Sequence, residues 1–86
     1  MPRIEVTNET DTLLCLMVEP WGTDHWMKPH EAFTVVASGE ESESPFSIVS
    51  HGDGINVWVN IGGEWCVVDR EGRDVPCGHQ RPIAGR

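Results

Sequence analysis

Aliphatic side chains alternate with amides and an indole along the stretch Ile55-Asn56-Val57-Trp58-Val59-Asn60-Ile61. A period of two is typical of a β-strand with one buried face, because successive side chains of a strand point to opposite sides of the sheet. Gly62-Gly63 follows at once, and glycine accepts the positive φ angles that a two-residue hairpin loop requires. The sequence therefore predicts a β-hairpin whose second strand covers residues 64–69.

The register of this hairpin assigns a face to each side chain, since directly opposed residues lie on the same side of a sheet. The predicted core face contains Ile55, Val57, Val59, Ile61, Cys66 and Val68. The other face contains Asn56, Trp58, Asn60, Trp65, Val67 and Asp69. Two indoles beside two amides are typical of a recognition surface. The alternative is a second small core, covered by the N-terminal strand or by the C-terminal tail.

Strand-like runs continue in both directions from the hairpin and are separated by turns rich in Gly, Pro, Asn and Asp. No stretch shows a sustained period of 3.6 residues, which is typical of an amphipathic helix. We predict an all-β fold, either a small antiparallel β-sandwich or a partly open barrel, of about six to seven short strands. Residues 1–76 are expected to form a single β domain, and residues 77–86 an irregular C-terminal tail.

The charge of the chain is one-sided, with 14 Asp and Glu against 6 Lys and Arg in 86 residues and a net charge of −8. Such a charge repels phosphate groups, so it disfavours nucleic acids and anionic membranes as partners and favours a protein with a basic surface. The N-terminus lacks the apolar stretch of a signal peptide, and the apolar run at residues 13–18 is too short to span a bilayer. We therefore expect a cytoplasmic protein.

The three cysteines, Cys15, Cys66 and Cys77, lack the paired spacing of a structural zinc site. We therefore predict no metal and no cofactor. The alternative is a small-ligand or metal-binding domain in which Cys66, Cys77 and His79 converge if the last hairpin closes. A disulfide between Cys66 and Cys77 would require an oxidising compartment.

A second distinctive patch consists of Glu19-Pro20-Trp21-Gly22 followed by Pro29-His30-Glu31-Ala32-Phe33. The pattern resembles one found in small uncharacterised bacterial β-domain proteins, where an EPWG segment precedes a short strand and a PxExF turn. The resemblance implies a small β domain and no particular activity. Trp21 and Trp26 are a second candidate contact surface, and the alternative is a β-bend whose Trp21 packs on the core.

Sequence motifs of catalysis are absent, since the chain contains neither a glycine-rich phosphate loop nor a strand-turn-helix nucleophile motif. Triad residue types are adjacent at residues 50–53, but a triad assembles from positions that are separated in the sequence. We predict a small acidic protein-binding domain, accessory or inhibitor-like, that is not an enzyme. Its expected contact residues are Trp58, Trp65, Asn56, Asn60, Trp21 and Trp26. A homodimer that pairs exposed edge strands is a third interpretation.

Folding is predicted to require no metal ion, because the sequence lacks paired ligand clusters and structural zinc sites stabilise a fold directly. Thermal unfolding followed by circular dichroism should give the same midpoint with and without a strong chelator. A large drop of the midpoint in chelator, or stoichiometric zinc in the purified protein, would contradict this prediction and make Cys66, Cys77 and His79 the ligands.

Overall fold

The computed structural model describes residues 1–40, 42–52 and 54–83. These residues form two β-sheets that share one core, and they contain no helix. The sheets do not close into a barrel, so the predicted all-β class is confirmed and the architecture is a sandwich. The strands are β1 (Arg3–Thr7), β2 (Leu14–Glu19), β3 (Thr23–Met27), β4 (Ala32–Ala37), β5 (Phe46–His51), β6 (Gly54–Val59) and β7 (Trp65–Val68).

The smaller sheet has the strand order β1-β4-β7, and the larger one has the order β3-β2-β6-β5. All pairs are antiparallel except β2 with β6, which are parallel. The prediction of a wholly antiparallel sandwich is therefore wrong at this one pair. The physical reason is the path of the chain, which leaves β2 through β3, crosses to β4 in the other sheet and returns through β5. Parallel neighbours require such a crossover connection.

The predicted hairpin of residues 55–69 does not exist, because β6 and β7 lie in different sheets. The segment around Gly62 and Gly63 instead carries the chain from one sheet to the other. It crosses the connection that follows β4, where the backbone amide of Ser38 donates to the Glu64 carbonyl at 2.8 Å. The crossing is so close that a Cβ on Gly39 would lie 2.0 Å from the Gly62 carbonyl oxygen. Glycine is therefore required at position 39 for this backbone contact, whereas Gly63 lies against Gly39 with a φ of 96° and a Cβ on Gly62 would meet no atom within 4 Å.

The face assignment that depended on the hairpin is wrong for β7. Val67 is buried and Cys66 is exposed, the reverse of the prediction. Trp58 and Trp65 do not share a face, since Trp58 is exposed on β6 and Trp65 packs against the core from the other sheet. The alternation along β6 itself was assigned correctly, because Val57 and Val59 are buried.

The core lies between the two sheets and is built from the inward rows of both. Residues of β2 alternate between buried and half-buried, as expected for a strand with one face in the core. Leu16, Val18, Met27, Val35 and Val57 are completely buried. Burial of each such side chain contributes roughly 1.5–3 kcal/mol relative to its exposure.

Asn8 is a fully buried polar residue in the connection between β1 and β2. Its Nδ2 donates to the carbonyls of Thr12 and Met27, at 2.8 and 2.9 Å. Its Oδ1 accepts from the amide and the hydroxyl of Thr10, at 2.9 and 2.7 Å. All its side-chain donors and one acceptor are therefore satisfied, which offsets the cost of burying the amide. Through these bonds Asn8 joins the β1–β2 connection to the end of β3.

Residues 74–81, which we call the C-terminal strap, form no strand but cover two sheet edges. The amide of Val75 donates to the Val67 carbonyl of β7 at 2.8 Å. The amide of Gly78 donates to the Asp24 carbonyl of β3 at 2.6 Å, and the Trp26 amide donates to the His79 carbonyl at 3.0 Å. The strap therefore joins the smaller sheet to the larger one along one side of the sandwich. Within the tail predicted as irregular, residues 77–81 thus lie against β3, and residues 84–86 lie outside the described part of the chain.

No helix within the described ranges is long and apolar enough to cross a membrane.

Replacement of Asn8 by alanine should lower the free energy of unfolding by about 2–4 kcal/mol, because it removes all four side-chain hydrogen bonds of a buried residue and leaves the Met27 carbonyl without this donor. Urea denaturation measures the change. The matched control is Asn60→Ala, at an asparagine whose two side-chain hydrogen bonds are exposed to solvent, and it should change stability by about 1 kcal/mol or less. Equal losses in the two variants would contradict the structural role of Asn8.

Candidate protein-binding surface

Only one face of the larger sheet contacts the core, and the described residues place no further strand over the opposite face. Paired residues of neighbouring strands lie on the same side of a sheet, so the register identifies this opposite face. We call it the outer face. It consists of Asp24 and Trp26 on β3, Cys15, Met17 and Glu19 on β2, Asn56 and Trp58 on β6, and Ser47, Val49 and His51 on β5.

Trp58 lies within the outer face, paired with Glu19 on one side and with Ser47 on the other. It is 40% exposed, and Val49 on the adjoining strand is 51% exposed. The register places Val49 and Met17 diagonally beside Trp58, at a spacing of about 7–8 Å that an indole can reach. An apolar strip therefore runs across three strands, from β5 to β2.

A chain of polar side chains crosses the same three strands next to Trp58. His51 Nε2 lies 2.9 Å from Asn56 Oδ1, and Asn56 Nδ2 donates to Glu19 Oε2 at 3.4 Å. Because the amide oxygen can only accept, the proton of this bond belongs to the histidine nitrogen, an assignment made from the partner atom. The chain holds the Asn56 amide in one orientation and leaves the carboxylate of Glu19 at its end.

Asn60 lies just beyond β6 and ties the preceding loop to the sheet. Its Nδ2 donates to the hydroxyl of Ser47 at 2.8 Å and to the carbonyl of Ser44 at 3.2 Å. The backbone amide of Asn60 donates to the Pro45 carbonyl at 2.9 Å. The structure therefore assigns Asn60 a local structural role at the margin of the outer face.

Trp26 lies at the opposite margin, where the C-terminal strap covers the edge of β3. Its indole Nε1 donates to Asp24 Oδ2 at 2.8 Å, and the Arg81 guanidinium donates to both oxygens of the same carboxylate. These bonds, that from Arg81 above all, hold the pKa of Asp24 well below its usual range. The same ion pair raises the pKa of Arg81. Both the indole N–H of Trp26 and the Asp24 carboxylate are thus engaged in holding the strap.

Trp21 and Trp65 form an aromatic pair that does not include Trp58. Their rings stack with centroids 4.7 Å apart and an angle of 18° between the planes. The rings of His25 and Trp65 are nearly perpendicular, with centroids 6.5 Å apart. Trp65 also packs against the core. Trp65 is therefore a half-buried structural residue, covered by Trp21, which is itself 46% exposed. The turn that carries Trp21 is closed by the Gly22 amide, which donates to the Val18 carbonyl at 2.9 Å.

A cavity of about 180 Å³ lies between β3, β7 and the strap, and Cys66, Cys77 and His25 are among its lining residues. His25 is 2% exposed, and its Nε2 lies 2.9 Å from the Thr23 hydroxyl. Its Nδ1 has no hydrogen bond of good geometry to the described residues. Burial lowers the pKa of His25, although nearby backbone groups of Val75 and Pro76 oppose that change.

The three residues considered as alternative metal ligands are not brought together. His79 packs its ring edge on Phe33, with centroids 5.7 Å apart, and does not line the cavity that contains Cys66 and Cys77. Over the described ranges, no group of three or more His, Cys, Asp or Glu side chains is arranged to hold a metal ion. Cys66 and Cys77 are exposed and are not joined by a disulfide.

The structure thus gathers three of the six predicted contact residues, Asn56, Trp58 and Trp26, on the outer face, with Asn60 at its margin. Sequence analysis missed their neighbours Glu19, Val49 and His51. These three residues could have been found only by knowing that β2 and β5 are the neighbours of β6. The alternation of residues within β6 does not reveal which strands lie beside it.

No protein-family model matches this chain, and comparison with curated proteins and with solved structures gives no match.

The burial of His25 predicts a pH dependence of stability. Because its pKa is lowered from an ordinary value of 6.5, the unfolded chain binds the proton more readily than the folded protein. Stability from this residue is therefore complete above that pH and should fall as the pH decreases below it, by at most ~1.4 kcal/mol per pH unit. A hydrogen bond from the backbone amide of Arg73 lowers the pKa of Asp69. The contribution of Asp69 to stability is therefore lost only at a lower pH than that of His25.

Urea denaturation at several pH values between about 7.5 and 5 measures this dependence. His25→Gln should be less stable than the wild type at the upper pH but should lose the slope near pH 6. His51→Gln, which alters an exposed histidine, is the matched control and should retain the slope. The same slope in the wild type and in His25→Gln would exclude His25 as its source.

Proposed function

We propose that this protein is a non-catalytic protein-binding module that contacts its partner through the outer face, with Trp58 as the main contact residue. The observation that carries the proposal is the 40% exposure of this indole on a sheet face that no further strand covers among the described residues. An indole offers a large contact area that loses little conformational freedom on binding, which is why tryptophan is frequent among residues that dominate binding energy.

The polar chain beside Trp58 supports the same proposal. The Asn56 amide is already oriented by its bonds to His51 and Glu19, so little further ordering is needed when a partner binds. The same face carries the apolar strip of Met17, Trp58 and Val49, and the register places Asn56 directly between Met17 and Val49. Apolar contact area combined with hydrogen-bonding groups is usual for a protein–protein interface.

Charge defines the kind of partner. The Glu19 carboxylate lies on the outer face, and the whole chain carries a net charge of −8. Complementarity therefore favours a protein with Lys and Arg around an apolar contact area, and the same charge disfavours nucleic acids and anionic membranes. An accessory or inhibitor-like role in the cytoplasm is the concrete form of this proposal.

A small-ligand function that used the histidine and cysteine side chains would depend on the cavity beside His25, where the buried Nδ1 atom lacks a good hydrogen bond. Its volume of about 180 Å³ is below the ~300–1,000 Å³ that is usual for ligand pockets. The cavity is large enough for a ligand of only a few atoms. The outer face is therefore the better-supported site.

The test compares two exposed tryptophans. The partner is first isolated from the native host with the wild-type protein and purified, and its affinity is then measured by titration calorimetry. Trp58→Ala should weaken binding by about 2 kcal/mol or more, roughly thirty-fold, and should leave the fold intact. Trp21→Ala, at an indole that lies on Trp65, is the matched control and should leave the affinity unchanged.

Loss of binding in Trp21→Ala with full binding in Trp58→Ala would reject the outer face and favour the Trp21–Trp65 pair. A loss of about 3–5 kcal/mol of stability in Trp58→Ala would show that the indole belongs to the core instead of a contact surface.

A further inference from the structure

The four edge strands of the two sheets differ in how they are protected. The edges of β7 and β3 are covered by the C-terminal strap, through Val75 and through Gly78 and His79. The edge strand β1 carries charged side chains at Arg3 and Glu5, which oppose pairing with another strand. The remaining edge strand is β5, and it has neither kind of protection within the described ranges.

The strand β5 has the sequence Phe46-Ser47-Ile48-Val49-Ser50-His51, which contains no Asp, Glu, Lys, Arg or Pro. The larger sheet has one strand more than the sheet that it faces, and every residue of β5 after Phe46 is exposed. Ile48, on the side of the core, is 48% exposed, and Val49, on the outer face, is 51% exposed. Proteins normally block such an edge because its free backbone groups are a template for another strand.

The register between β5 and β6 determines which backbone groups are free. The amide of Asn60 donates to the Pro45 carbonyl, which makes these two residues a hydrogen-bonded pair. In an antiparallel ladder hydrogen-bonded and non-hydrogen-bonded pairs alternate. The backbone N–H and C=O groups of Phe46, Ile48 and Ser50 therefore point away from β6, toward the open edge.

We infer that this edge pairs with β5 of a second copy of the chain, in antiparallel orientation, so that two larger sheets join into one continuous sheet. With Ile48 opposite Ile48 of the other copy, Phe46 lies opposite Ser50, and all three outward-pointing residues meet outward-pointing residues. Directly opposed residues then lie on the same face, as a continuous sheet requires. The same register brings the two exposed Ile48 side chains into contact on the side that the smaller sheets leave uncovered.

The distribution of charge agrees with a second copy as the occupant. The acidic loop that contains Glu40 and Glu43 precedes β5, so antiparallel pairing separates the two loops to opposite ends of the shared sheet. Each loop then lies near His51 at the end of the other copy's β5. The net charge of −8 on each chain opposes association over longer distances, and this repulsion is screened by salt. The dimer should therefore strengthen as ionic strength rises.

The contact is one strand wide, so its affinity is expected in the micromolar range. Sedimentation equilibrium in ~150 mM salt, over protein concentrations up to ~0.5 mM, should show a monomer–dimer equilibrium, because those concentrations would saturate a micromolar contact. Ile48→Lys should shift it to monomer, since two like charges would be placed opposite each other. Ile83→Lys introduces the same charge at an exposed isoleucine of the tail and should leave the equilibrium unchanged.

Amide hydrogen exchange provides a second readout that is specific for the register. The amides of Phe46, Ile48 and Ser50 should exchange fast in dilute protein and become protected as the dimer forms. The amides of Ser47 and Val49, already bonded to β6, should be protected at every concentration. A protein that stays monomeric throughout this range, or a dimer that Ile48→Lys leaves intact and that does not protect the three amides, would overturn the inference. So would protection of these amides only when a different protein is added.

Discussion

The parallel contact between β2 and β6 is the interaction on which the rest of the molecule depends. Val18 and Val57 are paired in it, and both are completely buried. On the opposite side of the same two strands, the pairing places Glu19 beside Trp58 and Met17 beside Asn56. One set of backbone hydrogen bonds therefore determines both the centre of the core and the composition of the outer face. A shift by one residue would exchange the two faces of β6 and bury the indole and the amide.

The strands themselves were predictable because their determinants are local. Alternation of aliphatic residues in β6 and the β-branched residues of β4 are each sufficient to indicate a strand with a buried face. Trp58 was correctly placed on the outside of β6 for the same reason. The partners of the strands were not predictable, since they depend on contacts between distant parts of the chain. Gly62-Gly63 fits a tight hairpin by local criteria, whereas in the structure Gly63 lies against Gly39 where two connections cross.

The residues of the candidate site also differ in whether local sequence or strand pairing brings them together. Asn56 and Trp58 are neighbours on one strand, so a period of two was enough to place them together. Glu19 and His51 join them only because β2 and β5 are the neighbours of β6. Trp65 was misassigned because its face was deduced from a hairpin that the chain does not form. Asn8 bonds locally to Thr10 and Thr12, but its complete burial depends on the position of Met27 in another strand.

The C-terminal strap also affects the order in which the chain becomes protected during synthesis. Asp24 of β3 can form its ion pair only after Arg81 has been synthesised, and Arg81 is 57 residues further along the chain. At ~5–20 residues per second this interval lasts roughly 3–11 s. During that time the edge of β3 lacks its cover, and uncovered strand edges in partly folded chains favour aggregation. The edge of β3 in the nascent chain is therefore exposed to aggregation between the emergence of β3 from the ribosome and the emergence of the strap that covers it.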